Sequence, residues 1–459
     1  MFKNKRDLVF VVCLVLIHLL FFGFAVFQNN YYPISGFKNL HIDPYQYLTE
    51  AKNIIEHGIF YCDDLSNPIN FDYYTLRPPV YPLFLSLFYL FKAPLFVIIF
   101  FQNIISIISI YLVRKTLFLF NYKTKYDVIF IILLALTPSQ FIYANTIFSE
   151  VIFQFFIVLM FRNALLFIYF KEKKYLIWYS FALILAAFTK PVMYLFVIPS
   201  LIYMVYLSYK IKKWYPAILS ILPVLAIFLM LTWNYKRTNK YQYSSIQTIN
   251  LLNYNTRLFL MSKKGYAYAD KFIDSIHNNA NKIQDYAKRT TYLNKASKNF
   301  LSKNLISYGF YHLQGSVYAI LDPGRYDISN FFLLNTKNVN QKGILYHLNN
   351  GGIISVLKFL VSTYSIPLLL ILGLILFLNV FKLLSLVLFI LNKRINLNFK
   401  IIVLGLLLYI ILLAGPVGAS RYFMPLVPLI IGVILIDNVL IKKLFNKINM
   451  FKNRSSNEK

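Results

Sequence analysis

Five charged residues stand out from an otherwise apolar chain because their side chains could carry out a transfer reaction. Two are carboxylates, Asp43 and Glu150, and three are cations, Arg77, Lys190 and Arg421. A carboxylate can take a proton from an attacking hydroxyl, and cations can hold a departing phosphate. The five lie far apart in the sequence, so the fold must bring them together if they act on one substrate.

Asp43 begins an amphipathic segment, HIDPYQYLTEAKNIIEHGIFY (41–61). The spacing of apolar residues predicts a helix with one apolar face. That face carries Tyr47, Ala51, Ile54 and Ile55. Because Pro44 follows it, Asp43 also fits a helix N-cap. The two roles are compatible, since a capping carboxylate stays ionised and can still act as a base.

Arg77 and Glu150 occur where apolar segments begin. In RPPVYPLF (77–84), the two prolines predict an extended segment that holds Arg77 at the membrane surface. There its guanidinium could grip a phosphate through two oxygens or simply reach the lipid headgroups. Glu150 lies at the outer end of an apolar stretch. It could face a cavity inside a helix bundle or lie on the surface at a helix start.

Lys190 and Arg421 interrupt apolar segments that otherwise carry no charge on that side. They occur in FTKP (188–191) and ASRYFMP (419–425). Either they bind an anionic partner or they form structural ion pairs with Asp43 or Glu150.

The composition indicates a membrane protein. Of 459 residues, 58% are hydrophobic and 14% are charged, whereas soluble domains carry about 25% charged residues. The formal charge is +30, but the basic residues form short runs between apolar stretches, unlike the basic clusters of a nucleic-acid-binding fold. We therefore expect an all-α polytopic membrane protein with the lipid bilayer, and no nucleic acid, as a partner.

Ten segments are apolar and long enough, at about 20 residues, to cross a membrane. They are residues 8–27, 95–113, 126–145, 147–170, 175–190, 191–208, 214–233, 361–381, 399–415 and 421–441. We expect about ten transmembrane helices, with a range of roughly 10 to 13. If the N-terminus is cytoplasmic, the short loops on that side hold basic runs, and the short outer connections carry only Lys190 and Arg421.

This topology divides the chain into six parts. They are an anchor helix (1–27), a first extracytoplasmic loop with juxtamembrane helices (28–94), a transmembrane core (95–233), a second large extracytoplasmic loop (234–357), C-terminal transmembrane helices (358–445) and a cytoplasmic tail (446–459). Residues 80–91 are apolar but too short to cross, so we expect an interfacial helix there. All five charged residues then lie at the extracytoplasmic face.

Motifs for other chemistry are missing from the sequence. The six histidines show no metal-ligand spacing, and Cys13 and Cys62 lie at different depths. Walker A, GxSxG, CxxC and GxGxxG patterns do not occur. We expect no cofactor and no metal site, although carboxylates alone leave room for a divalent ion.

Taken in order, the charged segments resemble those of the integral-membrane glycosyltransferases of the GT-C superfamily. The segments are HIDPYQYLTEAKNIIEHGIFY, RPPVYPLFLSL, TIFSEVIFQFFIVLM, LAAFTKPVMYLFVIP and GASRYFMPLVPLI. They look most like the branch of protein O-mannosyltransferases and lipid A aminoarabinose transferases. The long second outer loop also lies where that branch has one.

The resemblance implies a transferase that moves a sugar from a polyprenyl-phosphate carrier to a hydroxyl of a cell-envelope glycan, lipid or protein. The reaction would occur on the extracytoplasmic side of the inner or plasma membrane. Asp43 corresponds to the family's catalytic base, Glu150 to a second acidic residue of the site, and Arg77 to the residue that contacts the carrier phosphate. On chemical grounds, Lys190 and Arg421 would join Arg77 in binding that phosphate.

The chain also differs from the family. Many members have a second acidic residue next to the first-loop aspartate, where this chain has Pro44, and many have lysine in place of Arg77. The lectin-like domain of the eukaryotic protein mannosyltransferases has no counterpart here. These differences bear mainly on the identity of the acceptor.

A transporter or flippase of lipid-linked sugars is the alternative function. Transporters usually carry ionisable groups near the membrane midplane and often contain internal repeats. Here Arg162 and Lys382 come nearest to mid-span positions, and no repeat is evident. A non-catalytic membrane scaffold or a polysaccharide polymerase with another mechanism is the third hypothesis. A scaffold would have no reason to gather charged residues on one face.

Overall fold

The fold is built from helices. The computed structural model describes residues 5–31, 42–334 and 344–436, and these ranges contain no β-strand. Six helices within them are long and apolar enough to cross a membrane: Lys5–Gln28, Leu95–Phe120, Glu150–Phe170, Pro191–Ile211, Tyr215–Thr238 and Ile366–Leu391. All six overlap predicted spans, so the prediction of an all-α membrane protein is confirmed at this level.

The first half of the chain supplies most of the helices that carry the charged residues. In chain order they are α1 (Lys5–Tyr31), α2 (Ile42–His57), α3 (Val80–Leu90), α4 (Leu95–Leu117), α5 (Asp127–Ala135), α6 (Ser139–Ala144), α7 (Glu150–Phe170), α8 (Lys173–Thr189), α9 (Val197–Ile211) and α10 (Tyr215–Thr238). Helix α7 packs against α4 and α8, and α2 packs against α3. The expected interfacial helix at 80–91 corresponds to α3.

The second half begins with shorter helices. They are α11 (Ile246–Ile249), α12 (Arg257–Lys264), α13 (Tyr266–Asn281), α14 (Tyr286–Lys303), α15 (Leu305–Leu321) and α16 (Arg325–Phe331), followed by α17 (Ile344–Thr363), α18 (Ile366–Leu391), α19 (Leu397–Ala414) and α20 (Val427–Ile434). The predicted cytoplasmic tail, 446–459, lies outside the described residues.

Several predicted span boundaries differ from the structure. The segment 126–145 is interrupted around Pro138 and forms α5 and α6, because proline removes a helical hydrogen bond. The predicted span 361–381 differs from the structure at both ends, since α18 runs from Ile366 to Leu391. Lys382 lies within this helix, where it is buried and donates to the Thr137 hydroxyl at 2.9 Å.

A buried ion cluster joins three helix ends at one face of the bundle. Arg114, near the end of α4, donates to Asp7 at 2.8 Å and to both oxygens of Asp127 at 2.8 and 2.7 Å. Lys115 adds a bond to Asp7 at 2.7 Å. The predicted span 95–113 ends just before Arg114, but this residue belongs to α4 and its side chain is fully buried. The start of α1, the end of α4 and the start of α5 therefore lie together, as the predicted topology requires.

Replacing Arg114 with alanine is expected to destabilise the fold by about 3–5 kcal/mol, because two buried carboxylates would lose their cation. Thermal unfolding of the detergent-solubilised protein would show a clearly lower midpoint. Lys173→Ala, which removes an exposed lysine at the start of α8, is the matched control and should leave the midpoint unchanged. Equal midpoints for both variants would contradict a stabilising role for the cluster.

Candidate active site

Asp43 is held between two guanidinium groups. One carboxylate oxygen, Oδ1, accepts a hydrogen bond from Arg77 Nη2, and the other, Oδ2, accepts one from Arg421 Nη2 at 2.7 Å. Arg77 and Arg421 are 344 positions apart in the chain. The fold therefore brings three of the five charged residues into direct contact around one carboxylate.

Glu150 links the remaining cation to this group. Its Oε1 accepts from Lys190 Nζ at 2.8 Å and from Arg421 Nε. The Glu150 side chain is fully buried, and its Oε2 is a buried oxygen without a hydrogen-bond partner in the described part of the chain. Arg421 is thus shared between the two carboxylates, and all five charged residues form one cluster.

The ends of helices and the turns between them supply the cluster. Asp43 lies in the first turn of α2, and Glu150 opens α7, where the helix dipole favours an acid. Lys190 ends α8 in extended backbone just before Pro191. Arg421 occurs in a short 3₁₀ turn ahead of α20. Each of these four residues thus lies at a helix end or in a turn, and these helix ends and turns meet at one level of the bundle.

Aromatic rings lie against all three cations. The Arg77 guanidinium lies 4.7 Å from the Tyr47 ring centroid, and that of Arg421 lies 4.3 Å from the Phe148 ring centroid. Lys190 Nζ is 5.7 Å from the ring of Phe153. Such contacts favour a cation by about 0.5–2 kcal/mol. They also fix where the cations lie and so pre-organise the cluster.

The cluster carries one more positive than negative charge. Three cations face two carboxylates, and the pairs are unequally exposed: the Asp43 and Arg421 side chains are 25% and 27% exposed, whereas Glu150 is fully buried. A ligand can therefore reach Asp43 and Arg421 directly. Glu150, which is buried, can orient Lys190 and Arg421 through its ion pairs with them.

The charges around Asp43 determine its protonation. Burial alone would raise the pKa of the Asp43 carboxyl, but the positive charges of Arg77 and Arg421 outweigh it and hold this pKa below its usual value. Burial lowers the pKa of Lys190, and Glu150 opposes that shift. Asp43 is thus a carboxylate at neutral pH, and it is a weak base for as long as both guanidiniums stay on it.

The structure shows which contacts each of the five charged residues makes, and these contacts bear on the alternative roles that the sequence left open. Asp43 lies in the first turn of α2, and both of its carboxylate oxygens accept hydrogen bonds from guanidiniums, so Asp43 is an ion-pair partner of Arg77 and Arg421. Arg77 is directed to Asp43 and Gln46 instead of reaching toward headgroups. Glu150 is buried in the bundle and is not a surface residue. Lys190 and Arg421 do form ion pairs with the acidic residues, which was one of the two alternatives for them.

Sequence reasoning missed the neutral partners of the cluster. Gln46 accepts from Arg77 Nε at 3.0 Å, and the hydroxyls of Tyr47 and Ser149 lie 3.2 Å apart. The spacing of Asp43, Gln46 and Tyr47 along one helix is the signal that could have found them, because residues three and four positions apart share a helix face. The predicted apolar face included Ile55, which is instead exposed.

The described histidines and the two cysteines do not join the cluster. His18 is buried beside Leu14 and Ser106, and His57 is at the exposed end of α2. His41 lies outside the described residues. Cys13 and Cys62 are free thiols. Over the described ranges, no group of three or more His, Cys, Asp or Glu side chains is arranged to hold a metal ion.

Comparisons with known proteins do not place the chain in a family. No family model, no curated protein and no solved structure matches it. The fold and the site define an all-α membrane protein with a buried cluster of ion pairs. The resemblance to the GT-C glycosyltransferases rests on the sequence segments alone.

Proposed function

We propose that this protein is an integral-membrane glycosyltransferase that moves a sugar from a polyprenyl-phosphate carrier to an acceptor hydroxyl. The observation that carries the proposal is the convergence of Asp43 with Arg77 and Arg421. One carboxylate is held by two guanidiniums, in a cluster with an excess of one positive charge. This arrangement pairs a base for the hydroxyl with cations for the phosphate.

The charge of the cluster matches a donor with a single phosphate. A sugar linked through one phosphate to a polyprenol is a phosphodiester with one negative charge, so it would neutralise the cluster. A diphosphate-linked donor would bring more negative charge than the five side chains balance. Charge matching of this kind favours binding because unpaired charges are costly in a partly buried site.

The reaction also balances in charge. The acceptor oxygen bonds to the anomeric carbon of the sugar, and the bond from that carbon to the phosphate oxygen breaks, leaving its electron pair on the phosphate. The acceptor proton moves to Asp43. The carrier phosphate gains one negative charge while Asp43 loses one, so the site stays neutral through the transfer. Cations already in place around the phosphate stabilise the charge that develops there.

Donor binding would strengthen Asp43 as a base. In the free protein, Arg77 and Arg421 hold the pKa of Asp43 below its usual value. A phosphate that accepts hydrogen bonds from the same two guanidiniums weakens their hold on Asp43 and lets this pKa rise. General bases work best when their pKa lies nearer to the working pH. Asp43 would therefore become effective only once the donor is present.

We infer an extracytoplasmic site in a ten-span protein with both termini in the cytoplasm. The charge pattern of the sequence supports this, as does the meeting of Asp7, Arg114 and Asp127 at one face. Reporter fusions after residues 120 and 300 are expected to report opposite sides of the membrane. Reporters on the same side would contradict the span count and the location of the site.

A carrier of lipid-linked sugars is the second candidate function. Lys382 favours it, because this lysine is buried within the membrane-spanning helix α18 and hydrogen-bonds to Thr137. Ionisable groups at such positions often mark transport pathways. A carrier would move the intact lipid-linked sugar between leaflets, whereas a transferase would split the sugar from its carrier.

The experiment that tests the proposed function follows the sugar. Membranes containing the protein are incubated with radiolabelled polyprenyl-phosphate sugars, and label is measured in lipid, glycan and protein fractions. The transferase predicts label leaving the carrier in the wild type and staying on it in Asp43→Asn. Label that changes leaflet but remains on the carrier in both proteins would support the second candidate instead.

A further inference from the structure

A separate segment of the chain holds the turn that carries Arg421. In the turn DPG (322–324), Asp322 Oδ2 accepts from the Ser420 backbone N–H at 2.7 Å. Asp327, in α16, accepts from the Ser420 hydroxyl through Oδ2 at 2.8 Å. Both bonds act on the residue immediately before Arg421. The position of the Arg421 backbone therefore depends on two carboxylates from the chain segment between α15 and α17.

Asp327 also connects this turn to α6. Its Oδ1 accepts from the Tyr143 hydroxyl at 2.8 Å. Gly324 has a φ of 74°, a left-handed backbone conformation that glycine adopts without strain. Asp327 thus joins α6, α16 and the turn before α20 through two hydroxyl groups.

The surroundings of Asp327 make it unlike the other acids of the site. Asp43 and Glu150 are paired with cations, whereas no described lysine or arginine forms an ion pair with Asp327. The groups that act on its charge are the Tyr143 and Ser420 hydroxyls, the Asp322 carboxylate and the more distant Arg421. The two hydroxyl bonds therefore supply the direct contacts that stabilise its ionised form.

We infer that Asp327 is a positioning residue whose carboxylate, by accepting from Ser420, holds Arg421 in the orientation that binds the carrier phosphate. The inference rests on the proposed function for the identity of the ligand. Asp327 does not touch the phosphate in this account; it acts through the Ser420–Arg421 turn. Loss of its negative charge would weaken phosphate binding without removing any cation from the site.

Protonation gives this role a measurable signature. Burial raises the pKa of Asp327 to about 6; its hydrogen bonds with Tyr143 and Ser420 oppose that rise, Asp322 adds to it, and Arg421 reduces it. In the free protein, Arg77 and Arg421 keep the pKa of Asp43 low. If phosphate binding raises that pKa, protonation of Asp43 strengthens phosphate binding as the pH falls, which is the opposite sign to the effect of Asp327. Below about pH 6, Asp327 gains a proton and can no longer accept equally from both hydroxyls. Phosphate binding should therefore weaken as the pH falls through this range.

The test uses undecaprenyl methyl phosphate as the probe, with the full-length protein in nanodiscs. This lipid is a phosphodiester, so its own charge stays constant between about pH 5 and pH 7.5. In the wild type we expect the dissociation constant to rise about three- to ten-fold on going from the higher to the lower pH, the range expected for loss of one hydrogen bond. In Asp327→Asn, which cannot titrate at this position, the weakening of binding at the lower pH should disappear.

Three further variants separate positioning from a general structural role. Tyr143→Phe removes one hydrogen bond to the Asp327 carboxylate and should move the midpoint of the pH dependence to higher pH. In an Arg421→Ala background, Asp327→Asn should have no additional effect, because both changes act through one guanidinium. Asp274→Asn, at an exposed carboxylate of α13, is the control and should behave as the wild type.

Two results would overturn the inference while leaving the proposed function intact. One is a wild-type pH dependence that Asp327→Asn retains. The other is tight binding by the wild type with no pH dependence at all. A wild type that fails to bind the phosphodiester at any pH would instead refute the proposed function, and the inference with it.

Discussion

Asp43→Asn is expected to reduce sugar transfer by about two to four orders of magnitude, the usual contribution of a general base. The amide keeps the shape of the side chain and can still accept a hydrogen bond from one guanidinium. Expression and binding of the carrier lipid should therefore stay near those of the wild type. Transfer rates at saturating donor, measured beside donor binding, check this expectation.

Glu56→Gln is a matched control for this variant. Glu56 lies on the same helix, α2, but its side chain is 38% exposed and its salt-bridge partners are Lys52 and His57. It should transfer sugar at the wild-type rate. If Asp43→Asn also retained activity within a few-fold of the wild type, Asp43 would be only an ion-pair partner of Arg77 and Arg421.

The second large effect is expected at Arg77. Arg77→Ala should weaken use of the lipid donor by about one to two orders of magnitude, since a hydrogen bond to a charged group contributes roughly 1.5–3 kcal/mol. Arg77→Lys should recover part of this loss, because lysine keeps the charge but lacks the planar fork that binds two oxygens. The donor dependence of the transfer rate for the three proteins is the measurement.

Arg421 provides the internal comparison for Arg77. Both guanidiniums contact Asp43 in the free protein, and in the proposed reaction both bind the same phosphate. Arg421→Ala should therefore resemble Arg77→Ala, and the double variant should lose less than the two single losses combined. Donor kinetics unchanged by Arg77→Ala would remove this residue from the phosphate site and leave Lys190 and Arg421 to fill that role.

The charged residues of the site could be selected from the sequence because charge is expensive in so apolar a chain. Glu150, Lys190 and Arg421 interrupt largely apolar stretches, whereas Asp43 and Arg77 were selected because Asp43 begins an amphipathic segment and Arg77 precedes two prolines. Physical reasoning then requires such groups to be paired, hydrogen-bonded or exposed to a ligand. Which carboxylate meets which cation depends on three-dimensional contacts across hundreds of residues, and no local pattern carries that information.

The residues that support the site could not be selected in the same way. Asp322 and Asp327 lie in a polar segment with a DPG turn, where acidic residues are common and have no special meaning. Ser420 and Tyr143 are neutral, so nothing in their sequence context demands a partner. Only the structure shows that Ser420, beside Arg421, donates hydrogen bonds to Asp322 and Asp327. It also shows that Tyr143 donates to Asp327.

Hydropathy located the long helices but misjudged their interruptions. The segment 126–145 reads as one apolar stretch, yet the helix breaks around Pro138. The predicted span 361–381 is too short at its C-terminal end, because α18 continues through the buried Lys382 to Leu391. The predicted span 95–113 likewise ends before Arg114, which Asp7 and Asp127 neutralise inside the bundle. The break at Pro138 has a local cause, whereas tertiary contacts explain why Lys382 and Arg114 are buried.

A structure of the protein with a polyprenyl phosphodiester bound tests the central claim most directly. We expect the phosphate to lie between Arg77 and Arg421, within hydrogen-bond distance of both guanidiniums. At least one of these guanidiniums should have left Asp43, and the freed carboxylate oxygen should be open to an acceptor hydroxyl. A phosphate bound elsewhere, with the contacts of Asp43 to Arg77 and Arg421 intact, would contradict the account.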